Sequence, residues 1–325
     1  MLVHQIPEPL PNVAVHHEHW RESYFFVCHP RSGSDGDVVI LTMATYPARS
    51  TMDSFQMGRI SGVNVFALHD RPYGDDPHAP AVGPVTVEIV EPYRTVRLRV
   101  DPEETPLGLD LTFTARTAAH GLRRGTMKHG HEIIWDQSHM IQAGSYSGWY
   151  SQDGTTYEVD EWWGQRDHSW GIRDHARCPM WMWLALQVPD GMLAVWHWEY
   201  PNGARVYTDG CFAPSGGAEP VPVVDYRHEL DWLGTDGRPC DYGLDGAAVA
   251  GLGGRFEVTL EGGHRIGADV RGMGWAMPYG GLGGGQHLVE ISTDDGREGN
   301  GVIEITGASH HRYFPVPRGD RLPPG

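Results

Sequence analysis

No stretch of this chain sustains a 3.6-residue apolar period, whereas a period of two recurs along most of it. Val85, Val87 and Ile89 alternate with polar residues, Pro92 interrupts the run, and Val96, Leu98 and Val100 resume it. Leu107, Leu109, Leu111 and Phe113 follow a Pro/Glu-rich turn. That spacing places apolar side chains on one face of three successive half-buried antiparallel strands. The same reading predicts strands at Glu22–Val27, Val38–Tyr46 and Gly62–His69, with Gly121–His131 as a polar, basic loop. Asp153-Gly154 predicts a hairpin between Ser145–Tyr150 and Thr155–Asp160, and Asp190-Gly191 another between Met180–Val188 and Leu193–Tyr200. Further strands are expected at Arg205–Phe212, Val223–Trp232, Arg255–Glu261, Arg265–Gly272, His287–Thr293 and Gly301–Gly307. The 43 Gly and 24 Pro supply the turns between such short runs.

About fifteen to seventeen strands exceed what one small barrel holds. The chain is therefore expected to be all-β, with two antiparallel β-barrels or sandwiches in tandem and very little helix. The boundary is set in the central motif, giving domains at 1–170 and 171–316 and a flexible Pro/Arg/Gly-rich tail at 317–325.

A formal net charge of −17 argues against nucleic acid and anionic membranes as partners, since both need a basic patch. No run approaches the ~18 apolar residues of a membrane-spanning helix. Cys28, Cys178, Cys211 and Cys240 show no CxxC spacing, and residues 1–11 lack a signal-peptide pattern, so reduced thiols and a cytoplasmic location are expected. Twelve Trp in 325 residues point to large buried aromatic surfaces or to an apolar ligand pocket.

The densest chemistry lies in Trp162–His175, which contains Arg166, Asp167, His168, Ser169, Trp170, Arg173, Asp174 and His175. In an extended strand Arg166, His168 and Trp170 share one face, and Asp167 and Ser169 take the other. A proton-transfer group, a permanent cation and a π surface would then look into one space. Asp167 projects away from His168, so it is expected to pair with an Arg, with Arg173 the candidate, and to fix the motif. Asp174 and His175 are read as loop residues beyond a turn at Gly171. The alternative for the whole motif is an Arg/Asp/His network that ties two sheets together.

Gly164–Arg173 resembles the "RDHSWG" signature of a group similar to the carotenoid 1,2-hydratase/AttH-like superfamily of tandem lipocalin-like proteins. Trp20–Tyr24 and Leu109–Ala115 resemble the same group. Its relatives include tocopherol cyclase-like proteins and lipocalin-like pericyclases. The resemblance implies two calycin-type barrels with an apolar cavity at or near their junction. It also implies a functional His-x-Trp element, matched by His168 and Trp170, with a downstream Tyr and Asp. By position after the motif the downstream pair is His197 and Glu199; by literal match it is Tyr207 and Asp209.

An acid-triggered reaction on an isoprenoid- or polyketide-like molecule needs a proton donor, π faces to shelter a cation, and a base or a positioned water. His168, His197, Glu199 and Asp209 are the candidate catalytic residues. Arg166, Trp170, Trp183, Trp198 and Tyr207 are the candidates for substrate binding. The expected activity is a lyase or isomerase of hydratase, dehydratase or cyclase type without a cofactor. The alternative is a carrier that binds a hydrophobic ligand and leaves it unchanged, and an oligomer is compatible with either. No metal site is expected: His16, His17 and His19 with His129/His131 or His310/His311 lack the spacing of a known site and read as loop histidines. Gly280–Gly285 lacks a P-loop Lys and reads as a loop, with gating of a cavity as its functional alternative.

Overall fold

The computed structural model describes residues 17–73, 79–175, 177–200, 202–242, 246–278 and 283–307. The tail at 317–325, His16, His310/His311 and residues 280–282 of the Gly280–Gly285 run lie outside these residues. Among the described residues the fold is all-β, as expected, with a single 3-10 turn at Pro47–Arg49. No helix is long and apolar enough to cross a membrane. Cys28, Cys211 and Cys240 form no disulfide.

The chain divides into two compact units, Met1–His29 with Asp37–His175, and Pro30–Gly36 with Ala176–Gly325. Position 170/171 falls inside an unbroken strand that is paired through Ile172 on one side and Arg173 on the other. The division therefore comes after His175. The Pro30–Gly36 turn joins the second unit, where the Asn300 side-chain amide donates to the carbonyls of Pro30 (2.9 Å) and Gly33 (3.0 Å).

The first unit contains β1 (Trp20–His29), β2 (Val38–Tyr46), β3 (Thr51–Ile60), β4 (Val63–Pro72), β5 (Ala81–Val82), β6 (Val85–Glu91), β7 (Thr95–Val100), β8 (Leu107–Ala115), β9 (His120–His129), β10 (Glu132–Gln152) and β11 (Thr155–Arg173). They form one sheet in the order β4-β3-β2-β1-β11-β10-β8-β7-β6-β5, with β9 paired to β10. The expected Gly121–His131 loop is thus largely a strand: Arg123, Arg124, Thr126 and Lys128 face solvent while Leu122 and Met127 are buried, with a register irregularity between them. The sheet curls until its edges meet through a side chain, as Arg71 on β4 donates to the carbonyls of Ala81 (2.7 Å) and Ala79 (3.0 Å) beside β5. The apolar alternation around Val85–Phe113 lines its core together with Tyr24, Phe26 and Leu41.

The second unit is a closed barrel of β12 (Met180–Val188), β13 (Gly191–Glu199), β14 (Arg205–Pro214), β15 (Val221–Leu233), β16 (Gly251–Leu260), β17 (Arg265–Pro278), β18 (Gly284–Thr293) and β19 (Glu298–Thr306). Each strand pairs with the next, and β12 closes on β19. Met182, Leu184, Leu186, Val195, Leu230, Val289 and Ile303 point inward and fill much of the interior. One joint is open: β14 and β15 pair only at Cys211/Pro222 and Phe212/Val221 and then diverge.

His287 on β18 shares this interior, its ring 5.2 Å from Trp232, and neither ring nitrogen has a hydrogen-bond partner among the described residues. Burial pushes its pKa from 6.5 down to about 3. The unfolded chain takes up a proton here below pH 6.5 that the folded barrel refuses until about pH 3. The stability this site contributes is therefore intact above pH 6.5 and is lost as the pH falls, by at most about 1.4 kcal/mol per pH unit. Urea unfolding of His287→Gln and the parent chain between pH 7 and pH 4 should show the steeper acid loss in the parent. Parallel curves would overturn the assignment.

Candidate functional site

The central motif lies on β11, extended as expected, between β1 and β10. Register sets Tyr24 opposite His168 and Phe26 opposite Arg166, so these side chains face the interior of the first unit. His168 Nε2 lies 2.8 Å from Glu22 Oε1, and both side chains are buried. The Tyr24 ring stacks on the imidazole at 4.5 Å and 10°, and Trp170 lies at 5.2 Å. Arg166 Nε donates to Gln142 Oε1 at 3.0 Å, and its guanidinium lies over Phe113 at 5.7 Å. Gln142 is held in turn, donating to the carbonyls of Tyr93 and Thr117. Burial lowers the Arg166 pKa to about 10, which still leaves it cationic at neutral pH. The three motif residues do share a face, and that face is packed against Glu22, Tyr24 and Gln142.

The opposite face carries Asp167 and Ser169. Asp167 pairs with His139 on β10 at 3.2 Å, not with Arg173. Arg173 instead donates to Gln137 Oε1 (2.8 Å) and Ser169 Oγ (3.3 Å) and lies over the Trp135 ring. His139 stands opposite Ser169 in the β10–β11 register and reaches Asp167 on the diagonal, two residues away. Gly171 is no turn: it sits within β11 at φ +132, where a Cβ would lie 2.1 Å from the Asp136 carbonyl oxygen. His175 packs edge-on against Trp135, and burial, then the Arg21 charge, lowers its pKa to about 2.

His197 and Glu199 lie in the second unit, on β13. With Leu193 and Val195 they make the inward row of that strand. His197 Nε2 contacts Glu199 Oε1 at 2.8 Å, and its Nδ1 contacts Thr208 Oγ1 at 2.6 Å. Thr208 faces inward because register places it opposite His197 on β14. From β15, His228 Nε2 comes within 3.5 Å of the same Glu199 oxygen. Tyr226, two residues before it, sets its ring 5.0 Å from that of His197. A register shift after Trp198, opposite the start of β14, re-aims the chain beside the site. Burial lowers the His197 pKa below the usual imidazole range and raises that of Tyr226 well above the usual phenol range. The Tyr226 hydroxyl has no hydrogen-bond partner among the described residues.

These side chains line a cavity of about 560 Å³, bounded also by Arg205, Arg255 and Phe256. It lies where β14 and β15 diverge, and Arg205 spans that divergence by donating to the Tyr226 carbonyl (3.0 Å) and pairing with Asp225. A carboxylate between two imidazoles, with a phenol nearby, can accept, hold and return a proton.

Other expected site residues fall elsewhere. Trp183, Trp198, Tyr207 and Asp209 occupy the alternate rows of β12, β13 and β14 and so point away from the barrel interior. There Trp198 packs on Tyr207 at 4.7 Å and Trp196 on Trp183 at 6.0 Å. The Tyr207 hydroxyl lies 3.4 Å from Asp209 Oδ2, and Asp209 Oδ1 accepts from the Gly210 N–H. Period two forbids the Tyr-x-Asp pair from joining His197, since Thr208 between them takes the inward position. His168 and His197 each bond within their own unit, so the expected pooling of Arg166, His168 and Trp170 with His197 and Glu199 is not found in either. Glu22, His228 and Tyr226 were not singled out from the sequence. Their signal was available: each interrupts an otherwise apolar inward row, Glu22-Tyr24-Phe26 and Tyr226-His228-Leu230-Trp232.

Residues 2–234 match the sequence model of a family of unknown function, DUF8625. The chain belongs to that family. No curated protein sequence matches this DUF8625 member. Solved structures similar to it include kievitone hydratase from Nectria haematococca, with a TM-score of 0.57 and 12% identity over 88% of each chain. An AttH-like protein (NE1406) from Nitrosomonas europaea has a TM-score of 0.60 and 12% identity over 90% of this chain and 94% of its own. CghA with Sch210972 has a TM-score of 0.57 and 13% identity over 89% and 88%. The DUF8625 chain thus has the tandem lipocalin-like fold that its motif resembles.

Removing one partner of a buried ionisable pair costs about 3–5 kcal/mol, because the other is left buried alone. Glu22→Ala should lower the unfolding free energy of the first unit by that amount, and Glu22→Leu combined with His168→Leu should recover much of it. Urea titration of the parent and these two variants tests this, and a loss below about 1 kcal/mol for Glu22→Ala would show that the pair does not hold the unit.

Proposed function

We propose that this DUF8625 protein is a lyase or isomerase of hydratase, dehydratase or cyclase type, acting on an apolar, isoprenoid- or polyketide-like small molecule inside its C-terminal barrel. The observation that carries the proposal is the Glu199 carboxylate, held between His197 and His228 at the wall of a cavity of about 560 Å³. That volume is within the ordinary range of small-molecule pockets. The fold it shares with a kievitone hydratase and with CghA, solved with Sch210972, supports the same class.

The chemistry follows from the donor and acceptor inventory. An ionised carboxylate only accepts hydrogen bonds, so His197 presents Nε2–H to Glu199 and its Nδ1 accepts from the Thr208 hydroxyl. Glu199 is then the group that exchanges a proton with substrate, and Thr208 and His197 orient it. Tyr226 stays protonated at neutral pH and supplies the second proton donor. The faces of Tyr226 and Phe256 offer π surface to a developing cation, worth about 0.5–2 kcal/mol each. Adding or removing water across a double bond, or closing a ring, needs these parts and a dry pocket.

A metabolite recovered from the purified protein by extraction and mass spectrometry supplies the substrate or product for assay. Glu199→Gln should cut turnover by about 10²–10⁴-fold while ligand affinity changes little. Tyr226→Phe should lower kcat more than it raises KM. A bound metabolite that no variant and no wild-type preparation ever alters would leave a carrier of hydrophobic ligands as the function.

A further inference from the structure

We infer that His197, Glu199 and His228 form a binding site for one divalent first-row transition-metal ion on the inner wall of the C-terminal barrel. One ligand atom from each residue lies within 4.8 Å of the other two, and all three side chains are buried. Among the described residues no other group of three His, Cys, Asp or Glu meets that condition. Metal–ligand bonds of about 2.0–2.2 Å place neighbouring donors about 3 Å apart. Glu199 Oε1 is 2.8 Å from His197 Nε2 and 3.5 Å from His228 Nε2, so its two pairs already bracket that spacing. Two imidazoles with one carboxylate suit Zn²⁺, Fe²⁺ or Co²⁺, whereas Mg²⁺ and Ca²⁺ prefer oxygen ligands alone. Three protein ligands leave coordination positions for water or substrate, and the cavity adjoins them.

Two features favour a built site over a chance cluster. Ligand histidines usually have the second ring nitrogen fixed by a partner. Thr208 does this for His197, and its hydroxyl serves either tautomer: it donates to Nδ1 when Nε2 carries a proton, and accepts from Nδ1–H when Nε2 gives its lone pair to a metal. The site can therefore exchange a proton for an ion with the heavy atoms in place. The neighbouring guanidiniums do not oppose a cation strongly, because each is paired with carboxylates: Arg205 and Arg227 with Asp225, and Arg255 with Asp269 and Asp294.

The inference concerns the same carboxylate as the reaction proposed above but rests on donor geometry alone. Its test therefore reads binding, not turnover. The full-length protein, stripped with chelator and free of any affinity tag, is titrated with Co²⁺ while its visible ligand-field absorption is recorded, and Zn²⁺ is then added as competitor. The expected result is one Co²⁺ per chain, displaced by Zn²⁺, with affinity at least 100-fold weaker in His228→Ala and in His197→Ala. Thr208→Val, which retains all three ligands, should weaken binding about 10–100-fold. His228→Gln serves if the alanine variant fails to fold, with far-UV circular dichroism as the check. Absence of a ligand-field band overturns the site, and so does a band that persists unchanged in the folded His228 and His197 variants. Either result leaves the acid–base reading standing.

Discussion

A closed barrel has no spare direction for a side chain. Once β12 pairs with β19, every second residue of each strand enters the same interior. Most of those positions are filled by Leu, Ile, Val, Met and aromatic residues. Where the inward row instead carries His197, Thr208, Glu199 and His228, the polar side chains are largely buried and bond to one another. The hydrogen bonds at 2.6 and 2.8 Å around His197 are the direct result. Such a cluster costs stability compared with an apolar core, so its place against a cavity wall is better explained by chemistry than by packing.

Much of this was legible in the sequence because period two is a strong signal. The hairpin at Asp153-Gly154, the very low helix content of the described residues, and the opposed faces of Arg166/His168/Trp170 and Asp167/Ser169 all follow from alternation, and the structure has each of them. What alternation cannot supply is register between distant strands. Asp167 could not be matched to His139 without knowing that β10 runs beside β11 with His139 opposite Ser169, nor Glu22 to His168 without β1 on the other side. The strand β9 was hidden for a different reason. His120–His129 carries Arg123, Arg124 and Lys128 on a half-solvated edge, and a polar outer face resembles a loop by composition. The exact point 170/171 falls inside β11, which runs on through Arg173 before the chain passes to the second unit after His175.

Aromatic density was a poorer guide. Trp181, Trp183, Trp196 and Trp198 drew attention to β12 and β13, yet all four take the outward rows, where Trp183, Trp196 and Trp198 pack in series onto Tyr207 and Trp181 donates to Glu304. Their indoles supply buried area, whereas the cavity takes its π surface from Tyr226 and Phe256. A residue type that can line a pocket says nothing about which face it occupies. Position in the alternation decides that, and Thr208, an unremarkable residue by type, is in the site because it holds the inward place between Tyr207 and Asp209.

Both units contain a buried carboxylate–imidazole pair with a 2.8 Å contact, Glu22 with His168 and Glu199 with His197, each beside a tyrosine ring. The pairs differ in what surrounds them. β1 is paired along its length with both β2 and β11, and β11 with both β1 and β10, so the wall behind Glu22 and His168 is continuous. Tyr24 lies flat on the imidazole and closes the inner side. In the C-terminal barrel the wall parts after the second β14–β15 pair, Tyr226 meets His197 at 60° instead of lying flat, and the space between is cavity. The same two side chains are thus enclosed where strand pairing is complete, and border a cavity where it is not. Strand pairing, more than residue identity, separates the enclosed pair of the central motif from the pair that meets the cavity.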